Sequence, residues 1–384
     1  MFVFRSLPPL SLYIHFPWCI RKCPYCDFNS HALSEALPEQ AYIDTLVRDL
    51  EQDLPLIWGR RVNTIFMGGG TPSLFSPEAL ERLLGELRAR LNLAADIEIT
   101  LEANPGSVEA DKFAEFRAAG INRLSIGIQS FDNTQLEALG RIHDRRQAFA
   151  AAEAAHRAGL DNFNLDLMFA LPRQSVDGAL ADLHNALSLE PAHLSYYQLT
   201  LEPNTWFYHH PPPLPDEDIA WQMQSRAQAT LSEHGYAQYE VSAYARPGQQ
   251  CRHNRNYWEF GDYLGIGAGA HDKLSDVTAG RILRRSKQRN PQDYLQARDF
   301  VQRQAQPNEA DSVFEFMLNA LRLNDGFDLD LFEAHTGLTR ERLAGPLQQA
   351  REDGLIEADT AHIQTTERGK QYLNDLIERF LPDD

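Results

Sequence analysis

The sequence predicts an α/β protein: a partial (β/α)6 barrel, open on one side, followed by a small C-terminal winged-helix-like domain. Three observations lead there. Short apolar runs alternate with amphipathic helical patterns six times between Ser11 and His234, which is the signature of parallel strands joined by crossover helices. The unusual polar residues fall at or near the carboxyl ends of the predicted strands, where barrels build their sites. After a change of composition around Gln302–Glu309, helical patterns lead into a short β-like stretch.

Taken in order, Ser11–Phe16 is the first strand. Ile43, Leu46, Val47, Leu50 and Leu54 then recur at helical spacing, so roughly Pro38–Leu54 is an amphipathic helix. Strand Asn63–Met67 with helix Pro77–Leu91, and strand Asp96–Leu101 with helix Ser107–Ala119, repeat the unit. Arg123–Ile128 is the fourth strand, followed by helical stretches over Asn133–Leu139 and Arg145–Ala158. Asn162–Phe169, Val176–Leu189, His193–Thr200 and Asp218–His234 complete strand, helix, strand and helix. Six units rather than eight imply an incomplete barrel.

Pro211–Pro213 and Pro215 make a stiff crossing segment, Tyr236–Tyr244 reads as a further strand, and Gly265–Gly269 as a turn. In the C-terminal part Phe314, Met317, Leu318 and Leu321 share a helical face. Helices near Leu329–His335 and Arg340–Asp353 and a β-like Leu355–Thr365 follow. The expected organisation is residues 1–245 for the barrel with its N-terminal loop, 246–305 for a barrel extension, and 306–384 for the winged-helix-like domain.

A chain of 384 residues, 43% hydrophobic, can bury a large core. It has no run approaching the ~20 apolar residues of a membrane span, and its first ten residues lack a signal-peptide core. A soluble, cytoplasmic protein is expected. The net charge of −18 excludes general nucleic-acid binding, which needs a basic face. The last 75 residues are acidic as well, whereas a DNA-reading winged helix is normally basic, so protein contact or structural packing is the better reading of that part.

Cys19, Cys23 and Cys26 stand in the spacing Cys-x3-Cys-x2-Cys directly after the first strand. Three thiolates on one loop can hold three corners of an iron–sulfur cube and leave the fourth iron open to an exogenous ligand. The competing reading is a structural zinc ion with His15 or His31 as fourth ligand, since such sites are closed and tetrahedral. Gly68-Gly69-Gly70-Thr71-Pro72 follows the second strand, Glu102 and Gln129 end the third and fourth, Asp166 lies in the fifth and Gln198 near the end of the sixth. Each has a bland reading as a turn or a satisfied buried polar group, and Arg141 as a solvated charge. Together they converge on the mouth onto which the cysteine loop opens.

The cysteine spacing with Gly-Gly-Gly-Thr-Pro resembles the radical S-adenosylmethionine (radical SAM) superfamily. The strings Leu-Tyr-Ile-His-Phe-Pro-Trp-Cys, Phe-Met-Gly-Gly-Gly-Thr-Pro-Ser and Ser-Ile-Gly-Ile-Gln-Ser-Phe are similar to its coproporphyrinogen III oxidase-like branch. That branch holds oxygen-independent oxidases and a family of haem chaperones. The resemblance implies a [4Fe-4S] cluster on Cys19, Cys23 and Cys26, with S-adenosylmethionine on the open iron. It implies that Tyr13 and Tyr25 flank the cofactor, and that Gly69, Gly70 and Thr71 receive its methionyl part through backbone groups. Glu102 would accept from the ribose hydroxyls and Arg141 would balance the carboxylate; Gln129 and Asp166 match further cofactor-binding positions.

The oxidase pattern carries a fourth cysteine two residues after the third, where this chain has Phe28, and a longer N-terminal extension. Both departures fit the chaperones. The resemblance therefore implies haem binding, delivery to haem-accepting respiratory proteins at the membrane, and a possible homodimer; oxidative decarboxylation of coproporphyrinogen III is the alternative. The segment Cys251-Arg-His253-Asn254-Arg-Asn-Tyr257-Trp258 resembles one characteristic of the chaperones. His253 is the candidate haem ligand, with Tyr257 and Trp258 as apolar walls. Equally, it could be an interior histidine that packs a loop over the barrel mouth. Cys251 is a less favoured ligand.

Overall fold

The computed structural model describes residues 2–106, 110–357, 359 and 361–382. One sheet of 12 strands runs through the larger part of the chain. Its centre is six parallel strands in sequence order: β1 (Leu10–Phe16), β2 (Arg61–Gly69), β3 (Asn92–Ala103), β4 (Arg123–Gln129), β5 (Phe163–Phe169) and β6 (His193–Gln198). Leu10, Leu12, Ile14 and Phe16 of β1 are buried on one face, while Ser11 and His15 are buried on the other. Covering both faces is what turns parallel strands into near-continuous apolar runs. The intervening helices include α1 (Glu39–Ile57), α2 (Pro77–Arg90) and a helix at Arg145–Arg157. Ser76 caps α2 by accepting the Ala79 N–H at 3.2 Å, and Pro77 sits at its first turn, where a missing N–H costs nothing.

Among the described residues the sheet does not close. Beyond β6 it continues antiparallel into a hairpin, β7 (Ala237–Glu240) and β8 (Ala243–Ala245), so the expected single strand Tyr236–Tyr244 is two strands with a turn between them. On the other side Asp262–Ile266 (β9) lies parallel to β1, and only the residues after Ile266 form the expected Gly-rich turn. Three antiparallel strands follow: β10 (His271–Asp276), β11 (Arg281–Lys287) and β12 (Val301–Ala305). The segment expected as a barrel extension thus lengthens the same sheet, and the composition change near Gln302 begins inside β12.

These added strands are locked to the first helix by buried ions. Lys287 Nζ lies 2.5 Å from Asp49 Oδ1 and from Asp53 Oδ2, and Arg285 pairs with Asp53 and Asp272 at 2.7 Å. Tyr294 donates to Asp49 at 2.7 Å. Removing one member of such a cluster would leave a buried charge unpaired.

The C-terminal part has its own apolar core around Phe316, Met317, Phe332, Leu343 and Leu347, into which Phe4, Phe260 and Ile282 also pack. Its first helix, Glu309–Ala320, buries Val313, Phe316, Met317 and Ala320, whereas Leu318 is exposed and Phe314 only partly covered. The expected face is therefore rotated, onto an i, i+3, i+4, i+7 stripe. Helix Leu329–Thr336 is close to expectation. Arg340–Asp353 divides into a 3-10 turn, Arg340–Leu343, and a helix, Ala344–Glu352. The β-like stretch reduces to a bridge between Ile356 and Thr365 and a two-residue strand, His362–Ile363, paired with Phe327–Asp328. Part of that stretch, and the first residues of the expected helix Ser107–Ala119, lie outside the described residues; the helix itself is described from Phe113 to Ala119.

Candidate functional site

The cysteine loop leaves the carboxyl end of β1 and is tied down at both sides. His31 N–H donates to Pro17 O at 2.7 Å and Leu33 N–H to Cys19 O at 2.9 Å. The glycine turn after β2 holds it from beneath, because Gly70 N–H donates to Phe16 O and Thr71 N–H to Trp18 O. Gly69 has φ +110°, and a Cβ there would come within 2.3 Å of the His15 ring. Only glycine fits that approach.

Above this floor lies a cavity of about 350 Å³. Cys19, Cys23, Cys26 and Tyr25 line it from the loop; Gly69, Gly70 and Thr71 line it from the turn. Glu102, Gln129, Arg141 and Asp166 line it from the strand ends and the loop after β4. Tyr13 is the exception. Its hydroxyl donates to His15 Nδ1 at 3.0 Å, and its ring lines a second cavity instead.

The three thiols lie together on the loop side of this cavity. Burial pushes the Cys19 thiol up against a hydrogen bond from Thr71, and Cys26 and Cys23 add to the rise. Burial raises Cys26 too, opposed by Ser30. Two thiols raised in this way call for a cation beside them before they ionise. Among the described residues no group of three or more potential ligands surrounds one metal position. His15 is also committed: Nε2 donates to Asn29 O at 2.9 Å, and burial lowers it to about 4.

Among the described residues, Arg141 and Glu102 are charged groups of the cavity without a counter-ion. Arg141 donates to Asn104 Oδ1 at 2.7 Å, Gly127 O at 2.6 Å and Cys23 Sγ at 3.7 Å, with no carboxylate against it. Among the described residues, Glu102 accepts only the Gly69 N–H, at 3.0 Å. Burial and then the Asp166 carboxylate push it up to about 7, against that N–H. Asp166, itself raised by burial, accepts from Asn164 at 2.8 Å and Ser125 at 3.2 Å. Thr100 Oγ1 and Arg123 Nε are buried without partners on the same wall. A cavity with an unpaired guanidinium, an underused carboxyl and orphaned donors fits a zwitterionic ligand bearing hydroxyl groups.

Asn104 escaped the sequence reading. It bridges Arg141 and Thr71 Oγ1, the latter at 2.9 Å. Its position two residues after Glu102, on the same face at the same strand end, was the available signal. Tyr197 was missed beside Gln198: its hydroxyl donates to Gln129 Oε1 at 2.7 Å, while Gln198 is exposed. Gln129 itself has φ +69°, a strained conformation for a residue with a Cβ.

The second cavity, about 1130 Å³, abuts the first and shares Phe28, Phe66, Gly69, Glu102 and Asn254 with it. Tyr257, Trp258 and Tyr263 line it, as does His253. His253 is 8% exposed and sits on helix Arg252–Trp258, whose first N–H groups, from Arg252 and His253, donate to Glu98 at 3.2 and 3.0 Å. The Thr64 hydroxyl donates to Ser11 at 2.8 Å, so His253 Nδ1 donates to Thr64 Oγ1 at 2.9 Å and Nε2 keeps its lone pair. Burial lowers His253 to about 3, which keeps it neutral. Cys251 faces the first cavity, with its thiol pushed up to about 11 by burial.

Residues 13–184 match the Radical SAM superfamily, and residues 308–372 the HemN C-terminal domain. The haem chaperone HemW of Escherichia coli strain K12 is 51% identical over 98% of this chain and 99% of its own length. HemW of Haemophilus influenzae is 48% identical over 99% of this chain and 100% of its own. The solved structure of the Escherichia coli coproporphyrinogen III oxidase HemN, a radical SAM enzyme, superposes with a TM-score of 0.82. It is 25% identical and covers 97% of this chain and 90% of that one.

Proposed function

This chain belongs to the HemW haem-chaperone family of the radical SAM superfamily, and from that premise we propose that it holds haem beside an iron–sulfur centre and passes it to haem-accepting respiratory proteins at the membrane. The superfamily brings a [4Fe-4S] cluster and S-adenosylmethionine. Bound at the loop, they supply one-electron chemistry at an open iron. Cys19, Cys23 and Cys26 hold the cluster. Arg141 takes the methionyl carboxylate, and Glu102 accepts from the ribose hydroxyls. The N–H groups of Gly69, Gly70 and Thr71 already serve Glu102, the end of β1 and the cysteine loop, and the Thr71 carbonyl accepts the Leu74 N–H at 3.1 Å, so the carbonyls of Gly69 and Gly70 would receive the methionyl amine, with Thr71 beside them. Tyr25, Gln129 and Asp166 wall the remainder.

The observation that carries the chaperone reading is the second cavity pressed against the first. Its volume, about 1130 Å³, accommodates a ligand larger than the ~300–1,000 Å³ of ordinary small-molecule pockets. Its tyrosine and tryptophan walls suit a porphyrin face. His253 supplies Nε2 to iron, with Thr64 fixing the tautomer as outer partners of metal-bound histidines do. Phe28, 58% exposed on the cluster loop and part of both cavities, occupies the position of the oxidases' additional cysteine. The cluster and its cofactor thereby control haem handling through the loop that carries Phe28.

The setting we assign is the cytoplasm, with transfer at the membrane surface; among the described residues no helix is long and apolar enough to cross a membrane. A homodimer belongs to the same reading. The test is a haem titration of the reconstituted protein followed through the Soret band. One haem per chain is expected, with a changed spectrum and weaker binding in His253→Ala. No uptake by the wild type refutes the proposal, and an unchanged His253→Ala retires that ligand alone.

A further inference from the structure

The second cavity has a floor whose polarity the haem reading leaves unexplained. Strand pairing sets Tyr13 opposite Gly265, His271 opposite Ser286, and Ser286 opposite Arg303. Gly265 and His271 meet across β9 and β10, where a Cβ on Gly265 would come within 2.0 Å of the His271 carbonyl. One cross-strand row therefore runs from Tyr13, beside His253 with ring centroids 6.4 Å apart, through His271 and Ser286 to Arg303 at the sheet's edge. At about 4.8 Å per strand the row spans roughly 19 Å. Its inner end is aromatic and its outer end cationic.

Arg289 joins Arg303 at that outer end. In a chain of net charge −18 most arginines near carboxylates are paired with them, as Arg284 is with Glu315. Among the described residues, the side chains of Arg289 and Arg303 enter no ion pair or hydrogen bond, and neither nitrogen of His271 has a hydrogen-bond partner. Among the described residues that line this cavity, Asp27 on the cysteine loop and Glu102 are the carboxylates. The positive field reaches neighbouring imidazoles: burial and then Arg289 lower His271, and burial, Lys22 and then Arg289 lower His31. Two exposed arginines alone would be solvated surface charges. Two that converge on one aromatic-walled cavity, beside an unpartnered imidazole and a serine in register, form a carboxylate-binding edge.

We infer that Arg289 and Arg303, with His271 and Ser286, anchor the two propionate carboxylates of a porphyrin whose ring lies along the row toward His253. This rests on the haem reading above and adds the orientation: carboxylates outward at β11 and β12, metal inward near the cluster loop. The anchor is coupled to that loop through Asn29, whose side-chain amide donates to Arg289 O and Ala268 O, both at 2.9 Å.

The test compares haem with haem dimethyl ester, in which both carboxylates are masked, by Soret titration of the wild type and of the double variant Arg289→Glu/Arg303→Glu. Both positions are exposed, so folding is checked by far-ultraviolet circular dichroism and by S-adenosylmethionine binding, which should not change. The wild type should prefer haem over the ester about 10–100-fold, with the preference shrinking as salt rises. The variant should bind haem about 10–100-fold more weakly and lose the preference, while its ester affinity stays level. Equal binding of haem and ester by the wild type, or an unaffected double variant, overturns the inference while leaving haem binding intact. A wild type that takes up neither ligand defeats the haem reading itself.

Discussion

Glu102→Gln should make the cofactor-free protein more stable and a poorer binder of S-adenosylmethionine. Burial and Asp166 hold the Glu102 carboxyl at about 7 instead of an ordinary 4.5. Below pH 4.5 the group is protonated whether the chain is folded or not. Between pH 4.5 and 7 only the folded chain keeps the proton, so wild-type stability falls as pH rises through this window and levels off above it. The full interval corresponds to about 3 kcal/mol. Because the cavity opens to water, we expect about 1–2 kcal/mol of stabilisation by the glutamine at pH 8, vanishing near pH 4. The amide oxygen still accepts from Gly69. Losing a charged acceptor for ribose hydroxyls should weaken the cofactor about 10–100-fold. Urea unfolding of the cofactor-free chain at the two pH values and calorimetric titration of S-adenosylmethionine read both effects. A variant less stable at pH 8 than the wild type, or one with unchanged cofactor affinity, refutes the reasoning.

Cys19, Cys23 or Cys26 changed singly to serine should abolish the iron–sulfur absorption; zinc retained in a wild type that cannot be loaded with iron would contradict the cluster. Gly69→Ala should cost about 2–4 kcal/mol, from its positive φ and the Cβ collision with His15, read as a lowered melting temperature and loss of cluster. Glu98→Ala strips the acceptor from the Arg252 and His253 N–H groups and should cost about 2–3 kcal/mol. It should also weaken haem binding, with Glu98→Gln restoring most of both.

The central strands were legible because burial on both faces writes itself as continuous apolar runs, as in Leu-Ser-Leu-Tyr-Ile-His-Phe of β1. The site was legible for a related reason: Glu102, Gln129 and Asp166 interrupt such runs at or near the strand ends that share one mouth. β10 and β11 were not legible. They bury Lys273, Arg285 and Lys287, which no single-sequence pattern places inside. Their partners, Asp49, Asp53 and Asp262, come from distant or differently read segments. The same concealment hid the second cavity, whose floor those strands form. Tyr13 illustrates the cost: the resemblance implied a place beside the cofactor, whereas its ring lines the second cavity next to His253, 240 residues away.

The central claim is that this radical SAM scaffold carries porphyrin without converting it. The direct measurement is product analysis after the protein, reconstituted anaerobically with its cluster, is incubated with S-adenosylmethionine, reductant and coproporphyrinogen III. The account predicts no protoporphyrinogen IX from a preparation that binds haem stoichiometrically. Turnover to protoporphyrinogen IX would contradict it.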